Sequence, residues 1–347
     1  MSDDLIQSVI EAVPDPMLHL GPSGEIARAN TAATQMFGTW IVGRSHDAVI
    51  RQPGLLSRIE AMQAGEGASE GRFERSDQSG VTQFKVRLTS LVDTGLLLHF
   101  TDITHLREAE EMRRDFVANV SHELRTPLTA VLGFIETLRG PARNDPEAQA
   151  RFLGIMEDEA RRMNRLVSDL LSLSRVESEE RVRPNEDVDL HAVLQGVIAA
   201  LRPGAEDAGN SLVLECGDCL GDGTSRIWGD RDQVMQVFLN LCENAMKYGG
   251  PDKPVRIFMA REMGTGLLKG PVLRVDVTDE GEGIDSLHLP RLTERFYRID
   301  THRSREMGGT GLGLAIVKHI VNRHRGRLRI TSEIGRGTTF SVQLPAI

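Results

Sequence analysis

Two long stretches of the chain carry apolar residues at helical spacing. From Thr104 to Leu138 an apolar side chain recurs every three or four positions, and no glycine occurs before Gly133. A helix of this length, at about 1.5 Å per residue, would be roughly 50 Å long. Asp145-Pro146 predicts the start of a second helix, because aspartate caps helices and proline suits the first helical position. The apolar spacing continues there from Phe152 to Leu173.

A hairpin of two such helices buries little of either apolar stripe by itself. Gly140-Pro141 begins the short connection between them. Pairing with a second copy would form an antiparallel four-helix bundle in which both stripes are buried. We therefore predict a helical hairpin over residues 105–182, and a homodimer formed through it.

The sequences on either side of the hairpin predict two further domains. Residues 1–104 combine strand-like alternation, as in Gln83–Leu91 and Leu96–Phe100, with turns that contain glycine and proline. After a polar linker that begins near Ser178, residues 186–347 alternate helical segments with strand-like ones. The predicted fold class is therefore multidomain α+β, with a small α+β domain first and an α/β domain last.

Composition narrows the classes of function. The formal net charge is −9, which argues against a nucleic-acid partner, since binding phosphates needs a basic surface. No apolar run approaches the roughly 18–20 residues that span a bilayer, and the acidic start does not resemble a signal peptide. We predict a cytoplasmic chain; an anchor upstream of Met1 or peripheral association is left open. Cys216-Gly-Asp-Cys219 lacks a second ligand pair, so we interpret it as turn sequence.

One histidine lies in the middle of the first predicted helix. Glu123 follows His122 directly, and Thr126 lies one turn further along the same face. Pro127 then interrupts the helix, which costs about 3 kcal/mol unless it is compensated and suggests a site that has to move. A neutral imidazole is a good nucleophile near neutral pH, and a neighbouring carboxylate can fix its tautomer. The zinc-protease motif H-E-x-x-H is excluded, because Thr126 stands in place of its second histidine.

A later predicted helix carries two amides and a lysine on one face. Asn240, Asn244 and Lys247 are four and three positions apart. Amide oxygens can ligate Mg²⁺, which takes further ligands from water and phosphate, and the lysine can meet phosphate oxygens. A merely polar helix face is the alternative interpretation.

Two glycine-rich segments flank a short basic one. Asp279-Glu-Gly281-Glu-Gly283 follows a strand, and a carboxylate at a strand end can accept a hydrogen bond from the adenine amine, although D-x-G-x-G by itself is also common turn sequence. Gly308 to Gly313 opens a helix whose free N–H groups can bind phosphate, although it matches neither a Rossmann nor a Walker loop. Arg295 and Arg298 lie between these segments beside aromatic residues, in a stretch that we interpret as a mobile lid.

Together these segments resemble sensor histidine kinases. Ser121–Leu128 resembles the phospho-acceptor box, and the later segments resemble, in order, the N, G1, F, G2 and G3 boxes of an ATP-binding domain of the GHKL type. The resemblance implies that His122 accepts a phosphoryl group, that Glu123 assists as base and that Thr126 positions a water during dephosphorylation of a partner. It implies Mg²⁺ ligation by Asn240 and Asn244. The implied nucleotide-binding set is Asn240, Asn244, Lys247, Tyr248, Asp279, Gly281, Gly283, Arg295, Arg298, Gly309, Thr310, Gly311, Leu312 and Gly313.

The resemblance also implies a biochemistry. With ATP and Mg²⁺, the kinase would phosphorylate its own His122, pass the group to an aspartate of a response regulator, and dephosphorylate that regulator. Leu289–Arg298 with Met307–Arg325 resembles phosphate-regulon sensor kinases, although Thr293 stands where many histidine kinases have phenylalanine. More loosely, residues 1–104 resemble a PAS sensor domain.

Two other classes share part of this pattern. A conformational ATPase of the gyrase or chaperone type would have the nucleotide boxes but no use for His122 in its box. A degenerate scaffold would bind nucleotide without transfer, yet every expected polar residue is present. The signal, the regulator and the choice between phosphorylation within or between subunits are not encoded in these motifs.

Overall fold

The chain forms two compact units, Met1–Ala118 and Asn119–Ile347. The computed structural model describes residues 3–65, 70–77, 80–91, 94–180, 182–217, 225–266, 268–300 and 309–347. Helix α5 (Thr104–Arg139) contributes residues to both units. In this described part of the chain, no helix combines the length and the apolar character that crossing a membrane requires.

The first unit is built on a five-stranded antiparallel sheet. Its strands are β1 (Met17–Leu20), β2 (Ile26–Ala29), β3 (Glu70–Asp77), β4 (Gly80–Leu91) and β5 (Gly95–Asp102), in spatial order β2-β1-β5-β4-β3. Helix α1 (Asp3–Glu11) precedes the sheet, and α2 (Thr31–Phe37), α3 (His46–Val49) and α4 (Pro53–Gln63) follow β2. The predicted strands fall within β4 and β5, so the α+β fold predicted for this part is confirmed.

Two features explain how this unit packs: the alternation of buried and partly exposed residues along β5, and the buried side-chain amide of Asn30. Leu96, Leu98 and Phe100 of β5 are buried, while the residues between them are partly exposed, as a sheet with one covered face requires. Asn30 caps α2: its Oδ1 accepts hydrogen bonds from the backbone N–H groups of Met17 and Ala33 at 3.0 and 2.9 Å. Its Nδ2 lies within hydrogen-bond distance of the backbone carbonyls of Ile10, in the last turn of α1, and of Val13 and Asp15, which precede β1. The amide therefore fixes the entry of the chain into the sheet.

The predicted hairpin helices are α5 and α6 (Pro146–Glu179). Asp145 caps α6 as expected, since its Oδ1 accepts a hydrogen bond from the backbone N–H of Ala148 at 3.0 Å. Helix α6 continues through Ser178, where the linker was predicted to begin, and ends at Glu179. Within the described residues of this single chain, Leu128 and Leu132 of α5 remain 51% and 54% exposed. Much of the apolar surface of the hairpin is therefore available to a partner.

The remainder of the second unit is an α/β sandwich. Its elements are β6 (Glu186–Asp189), α7 (Leu190–Asp207), β7 (Ser211–Cys216), β8 (Arg226–Gly229), α8 (Arg231–Gly249), β9 (Pro254–Met263), β10 (Pro271–Asp279), α9 (Gly313–Arg323), β11 (Arg327–Glu333) and β12 (Gly337–Pro345). The main sheet has the order β11-β12-β10-β9-β7, with β7 and β9 parallel, and β6 pairs with β8. Helix α8 packs between α7 and α9 and against β9 and β10. This arrangement confirms the predicted α/β fold.

The register of β10 determines where its last residue lies. Val275 and Val277 are buried, and Arg274, Asp276 and Thr278 between them are only partly buried. Because side chains alternate along a strand, Asp279 falls on the same face as the two valines. The carboxylate of Asp279, the last residue of β10, is therefore buried inside the domain.

Candidate active site

His122 lies on α5 with its side chain exposed. The hydroxyl of Thr126 donates to the backbone carbonyl of His122 at 3.2 Å, which places the threonine one turn away on the same face. Pro127 is buried, and it lacks the N–H that would otherwise donate to the carbonyl of Glu123. The imidazole is therefore accessible to a phosphoryl donor carried by another domain.

The carboxylate beside this histidine is bound by two arginines. Arg298 Nη1 donates to Glu123 Oε1 at 3.2 Å, and Arg298 Nη2 donates to Oε2 at 3.1 Å. Arg162 Nη2 from α6 donates to the same Oε2 at 3.1 Å. The side chains of Arg298, Glu123 and Arg162 are 5%, 14% and 14% exposed. In this conformation Glu123 is an acceptor for guanidinium groups, and its predicted role as a base toward His122 stays a prediction.

Helix α8 presents the predicted amides and lysine. Asp230 caps the helix by accepting hydrogen bonds from two backbone N–H groups of its first turn at 3.1 Å each. Asn240, Asn244 and Lys247 are each half-buried, so their polar ends are accessible on one face of the helix. The side-chain Nζ of Lys247 lies 5.2 Å from the ring centre of Tyr248. The two amide oxygens fit as ligands of a Mg²⁺ ion that also binds phosphate, and the ammonium group fits as a partner of the phosphate oxygens.

Lys247 has an unusually acidic ammonium group. Burial and, to a smaller extent, the positive charges of Arg298 and Arg165 together lower its pKa to about 8. The lysine is thus partly neutral at mildly alkaline pH in this conformation. A bound phosphate would favour the charged form and raise this pKa again.

We expect ATP binding at about pH 9 to be accompanied by proton uptake, because phosphate restores the charge on Lys247. Calorimetry in two buffers with different ionisation enthalpies measures this uptake directly. Lys247→Arg should bind ATP without it, since a guanidinium stays protonated throughout this range. Equal proton uptake by the wild type and the variant would show that another group titrates.

Asp279 lies at the end of β10 and is 4% exposed. Its Oδ1 accepts hydrogen bonds from the backbone N–H groups of Gly281 at 2.9 Å and Thr338 at 3.3 Å. Burial raises the pKa of this carboxyl, and the two hydrogen bonds act in the opposite direction. A Cβ on Gly281 would lie 2.3 Å from the carbonyl oxygen of Tyr248, and one on Gly283 would lie 2.1 Å from that of Glu333. The glycines therefore permit the close backbone packing that surrounds this carboxylate.

The second glycine-rich segment is hydrogen-bonded to Phe296 and Arg298, which we call the base of the predicted lid. The backbone N–H of Phe296 donates to the carbonyl of Gly311 at 2.8 Å. Gly311 has φ +74°, and a Cβ there would lie 2.9 Å from Phe296 Cα, so both conformation and space require glycine. Arg298 Nη2 donates to the carbonyl of Thr310 at 2.8 Å. Residues 301–308, which include Gly308 at the start of the second glycine-rich segment, lie outside the described residues.

The start of α9 meets the amide face of α8. Leu312 is fully buried, Gly309 is half-buried, and a Cβ on Gly313 would lie 3.0 Å from Asn240 Oδ1. The Nε of Arg298 is buried and has no hydrogen-bond partner within the described part of the chain. A buried guanidinium N–H without a partner, next to a glycine-rich helix start, fits a site for phosphate oxygens.

Sequence reasoning missed the residues of α6 that contact the ATP-binding domain. Asp169 Oδ2 accepts from the hydroxyl of Thr310 at 2.7 Å, and burial raises the pKa of Asp169. Glu177 pairs with Arg295 at 2.5 Å, so this predicted phosphate ligand contacts the hairpin here. The sequence does show charged residues along the apolar stripe of α6, which could have marked them as contact residues. No sequence pattern, however, indicates which residues of the other domain they contact. Cys216 is exposed, and Cys219 of the C-x-x-C segment lies outside the described residues.

Comparisons with known proteins agree with this arrangement. Residues 112–179 match the His Kinase A (phospho-acceptor) domain, and residues 229–347 match the histidine kinase-, DNA gyrase B-, and HSP90-like ATPase. The second match identifies the α/β domain as an ATP-binding domain. Neither match includes residues 1–104, so their assignment as a PAS domain stays a prediction.

Similar proteins extend the match to nearly the whole chain. The phosphate regulon sensor protein PhoR of Pseudomonas aeruginosa is 34% identical over 342 residues, which are 97% of this chain and 73% of that protein. The sensor protein kinase WalK of Staphylococcus saprophyticus is 34% identical over 98% of this chain, which spans 55% of that relative. The structure of histidine kinase ThkA in complex with response regulator protein TrrA covers 98% of both chains at 22% identity with a TM-score of 0.53, which supports the fold alone. The chain belongs to the sensor histidine kinases of two-component systems, which are protein histidine kinases.

Proposed function

We propose that this kinase transfers the γ-phosphoryl group of ATP to His122 and then to an aspartate of a response regulator. Its similarity to PhoR favours a phosphate-responsive pathway, and the placement of Thr126 beside His122 favours an additional phosphatase activity toward the regulator. The homodimer formed through α5 and α6 is part of the proposal.

One contact carries the proposal. Arg298, at the base of the lid, binds Glu123, the residue directly after His122. Thr310 of the glycine-rich segment likewise contacts Asp169 on the hairpin. The elements expected to hold the nucleotide phosphates therefore already lie against the helix that carries the acceptor histidine.

The residues present have distinct tasks in this transfer. Asp279 binds the adenine amine, and the glycine-rich start of α9 binds phosphate through its backbone N–H groups. Asn240 and Asn244 would hold Mg²⁺, which neutralises charge on the phosphate oxygens. A ring nitrogen of His122 forms a bond to the γ-phosphorus, while the bond from that phosphorus to the β–γ bridging oxygen breaks and ADP leaves. Lys247 and Arg298 stabilise the charge on the transferred group, because phosphoryl transfer depends mainly on positioning and electrostatics.

The test is incubation of the full chain with γ-labelled ATP and Mg²⁺, followed by acid or alkali treatment and peptide mapping. We expect a label that survives alkali, is lost in acid, maps to the peptide containing His122, and is absent from a His122→Ala control. ATP hydrolysis without any label would favour a conformational ATPase. Transfer is tested by adding a response regulator and following the label onto its aspartate.

The proposed homodimer predicts a strong effect at Leu128, which lies on the apolar stripe and is 51% exposed in the single chain. Leu128→Glu should raise the dimer dissociation constant at least about 100-fold. Burying each leucine contributes about 1.5–3 kcal/mol, and a dimer loses two. Sedimentation equilibrium measures the change. Leu287→Glu, at a site 79% exposed on the ATP-binding domain, is the matched control. Identical dissociation constants for Leu128→Glu and the wild type would place the dimer interface elsewhere.

A further inference from the structure

Glu123 is held from two directions by arginines of different origin. Arg298 comes from the lid base of the ATP-binding domain, whereas Arg162 lies on α6 of the hairpin itself. Both reach the same oxygen, Oε2, at 3.1 Å. Arg162 is also 3.7 Å from Glu159, one turn earlier on its own helix, so it bridges two carboxylates.

The two arginines differ in whether their contact with Glu123 depends on the position of the ATP-binding domain. The contact between Arg162 and Glu123 joins two helices of the same hairpin and does not depend on the position of the lid. The contact between Arg298 and Glu123 exists only while the lid lies against α5. Arg162 is therefore the constant partner of Glu123, and Arg298 is the variable one.

The direction of the carboxylate follows from helix geometry. Consecutive helical residues point about 100° apart and do not face each other. Glu123 accordingly extends toward α6, where it is 14% exposed, while the His122 ring beside it is exposed. A glutamate side chain has several rotamers, and a charge-assisted hydrogen bond from a half-buried arginine selects one of them.

We propose that Arg162 is a positioning residue for phosphoryl transfer. It holds the Glu123 carboxylate in the place where Arg298 docks, and so sets where the lid, with the γ-phosphate, meets His122. This inference rests on the proposed function, because it concerns the approach of the nucleotide to the acceptor histidine. Arg162 acts through Glu123 and contacts no substrate.

The distinguishing test uses the rate and the nucleotide affinity together. Arg162→Met should slow phosphohistidine formation about 10-fold to 100-fold at saturating ATP, because it removes a hydrogen bond between charged groups. The KM for ATP should change less than about twofold, since the nucleotide binds the other domain before docking. Arg162→Lys keeps the charge and should recover part of the rate. Arg161→Met is the matched control, because Arg161 is 69% exposed and pairs only locally with Glu157 in the described structure.

A double-mutant cycle decides whether Arg162 works through Glu123. If it does, Arg162→Met combined with Glu123→Gln is no slower than Glu123→Gln alone. The inference would be overturned if the rate losses of Arg162→Met and Glu123→Gln were fully additive in the double variant. It would also be overturned if Arg162→Met formed phosphohistidine at the wild-type rate.

Hydrogen exchange separates this inference from the proposed function. In nucleotide-free protein, Arg162→Met and Glu123→Gln should equally increase exchange in residues 289–300, whereas Arg161→Met should not. A wild type that never becomes labelled would refute the proposed transfer, and the exchange pattern would still decide the role of Arg162. Unchanged exchange in Arg162→Met would refute that role even in an active kinase.

Discussion

Asp279→Asn is expected to bind ATP about 10-fold to 100-fold more weakly than the wild type while the protein remains folded. The carboxylate is buried, and one of its oxygens already accepts from the backbone N–H groups of Gly281 and Thr338. The adenine amine is a donor and needs the remaining acceptor, where asparagine presents an NH₂ group. Losing a hydrogen bond to a charged group costs about 1.5–3 kcal/mol, and every 1.4 kcal/mol is tenfold in affinity.

Calorimetric titration with a non-hydrolysable ATP analogue measures this affinity, and thermal unfolding checks the fold. Glu280→Gln is the matched control, because this carboxylate is the next residue, is half-exposed, and pairs with Arg256 at 2.6 Å on the surface. We expect its affinity for ATP to stay within about twofold of the wild type. An Asp279→Asn protein that bound the analogue as tightly as this control would exclude the role assigned to Asp279.

The sequence predicted those parts of the site that depend on local periodicity. The strand pattern placed Asp279 at the end of a strand, which is β10, and the spacing of four and three placed Asn240, Asn244 and Lys247 together on one face of α8. The conformational part of the glycine requirement at Gly311 is also local, since its φ of +74° is unfavourable for a residue with a Cβ, whereas the close approach of Phe296 is not. Each of these features is determined by residues that lie close together in the sequence, within a single helix, strand or turn.

The contacts between the hairpin and the ATP-binding domain could not be predicted in this way. Glu123 and Arg298 are 175 positions apart, and Asp169 and Thr310 are 141 apart. An isolated charge on a helix is compatible with solvent exposure, a local ion pair or a distant partner, and periodicity does not distinguish them. The predicted base Glu123 illustrates this, because its arginine partners come from α6 and from the lid.

Arg298→Gln is expected to slow phosphohistidine formation about 1,000-fold while changing the affinity for ATP less than about tenfold. The guanidinium is almost fully buried, with an Nε that has no partner among the described residues and lies beside Gly311. A fixed arginine that stabilises the charge of a transferring phosphoryl group contributes about 10³–10⁵ in rate in related reactions. Glutamine keeps hydrogen-bonding capacity but loses this charge. Single-turnover labelling gives the rate, and calorimetry gives the affinity.

The second lid arginine provides the comparison that makes this result specific. Arg295 pairs with Glu177 on α6, and both side chains are 32% exposed. Exposed ion pairs contribute little, so Arg295→Gln should slow labelling less than about tenfold. If Arg298→Gln instead labelled His122 as fast as the wild type or faster, the pair of Arg298 with Glu123 would be a restraint that holds the lid away from transfer. The comparison of these two variants thus separates a catalytic arginine from an inhibitory contact.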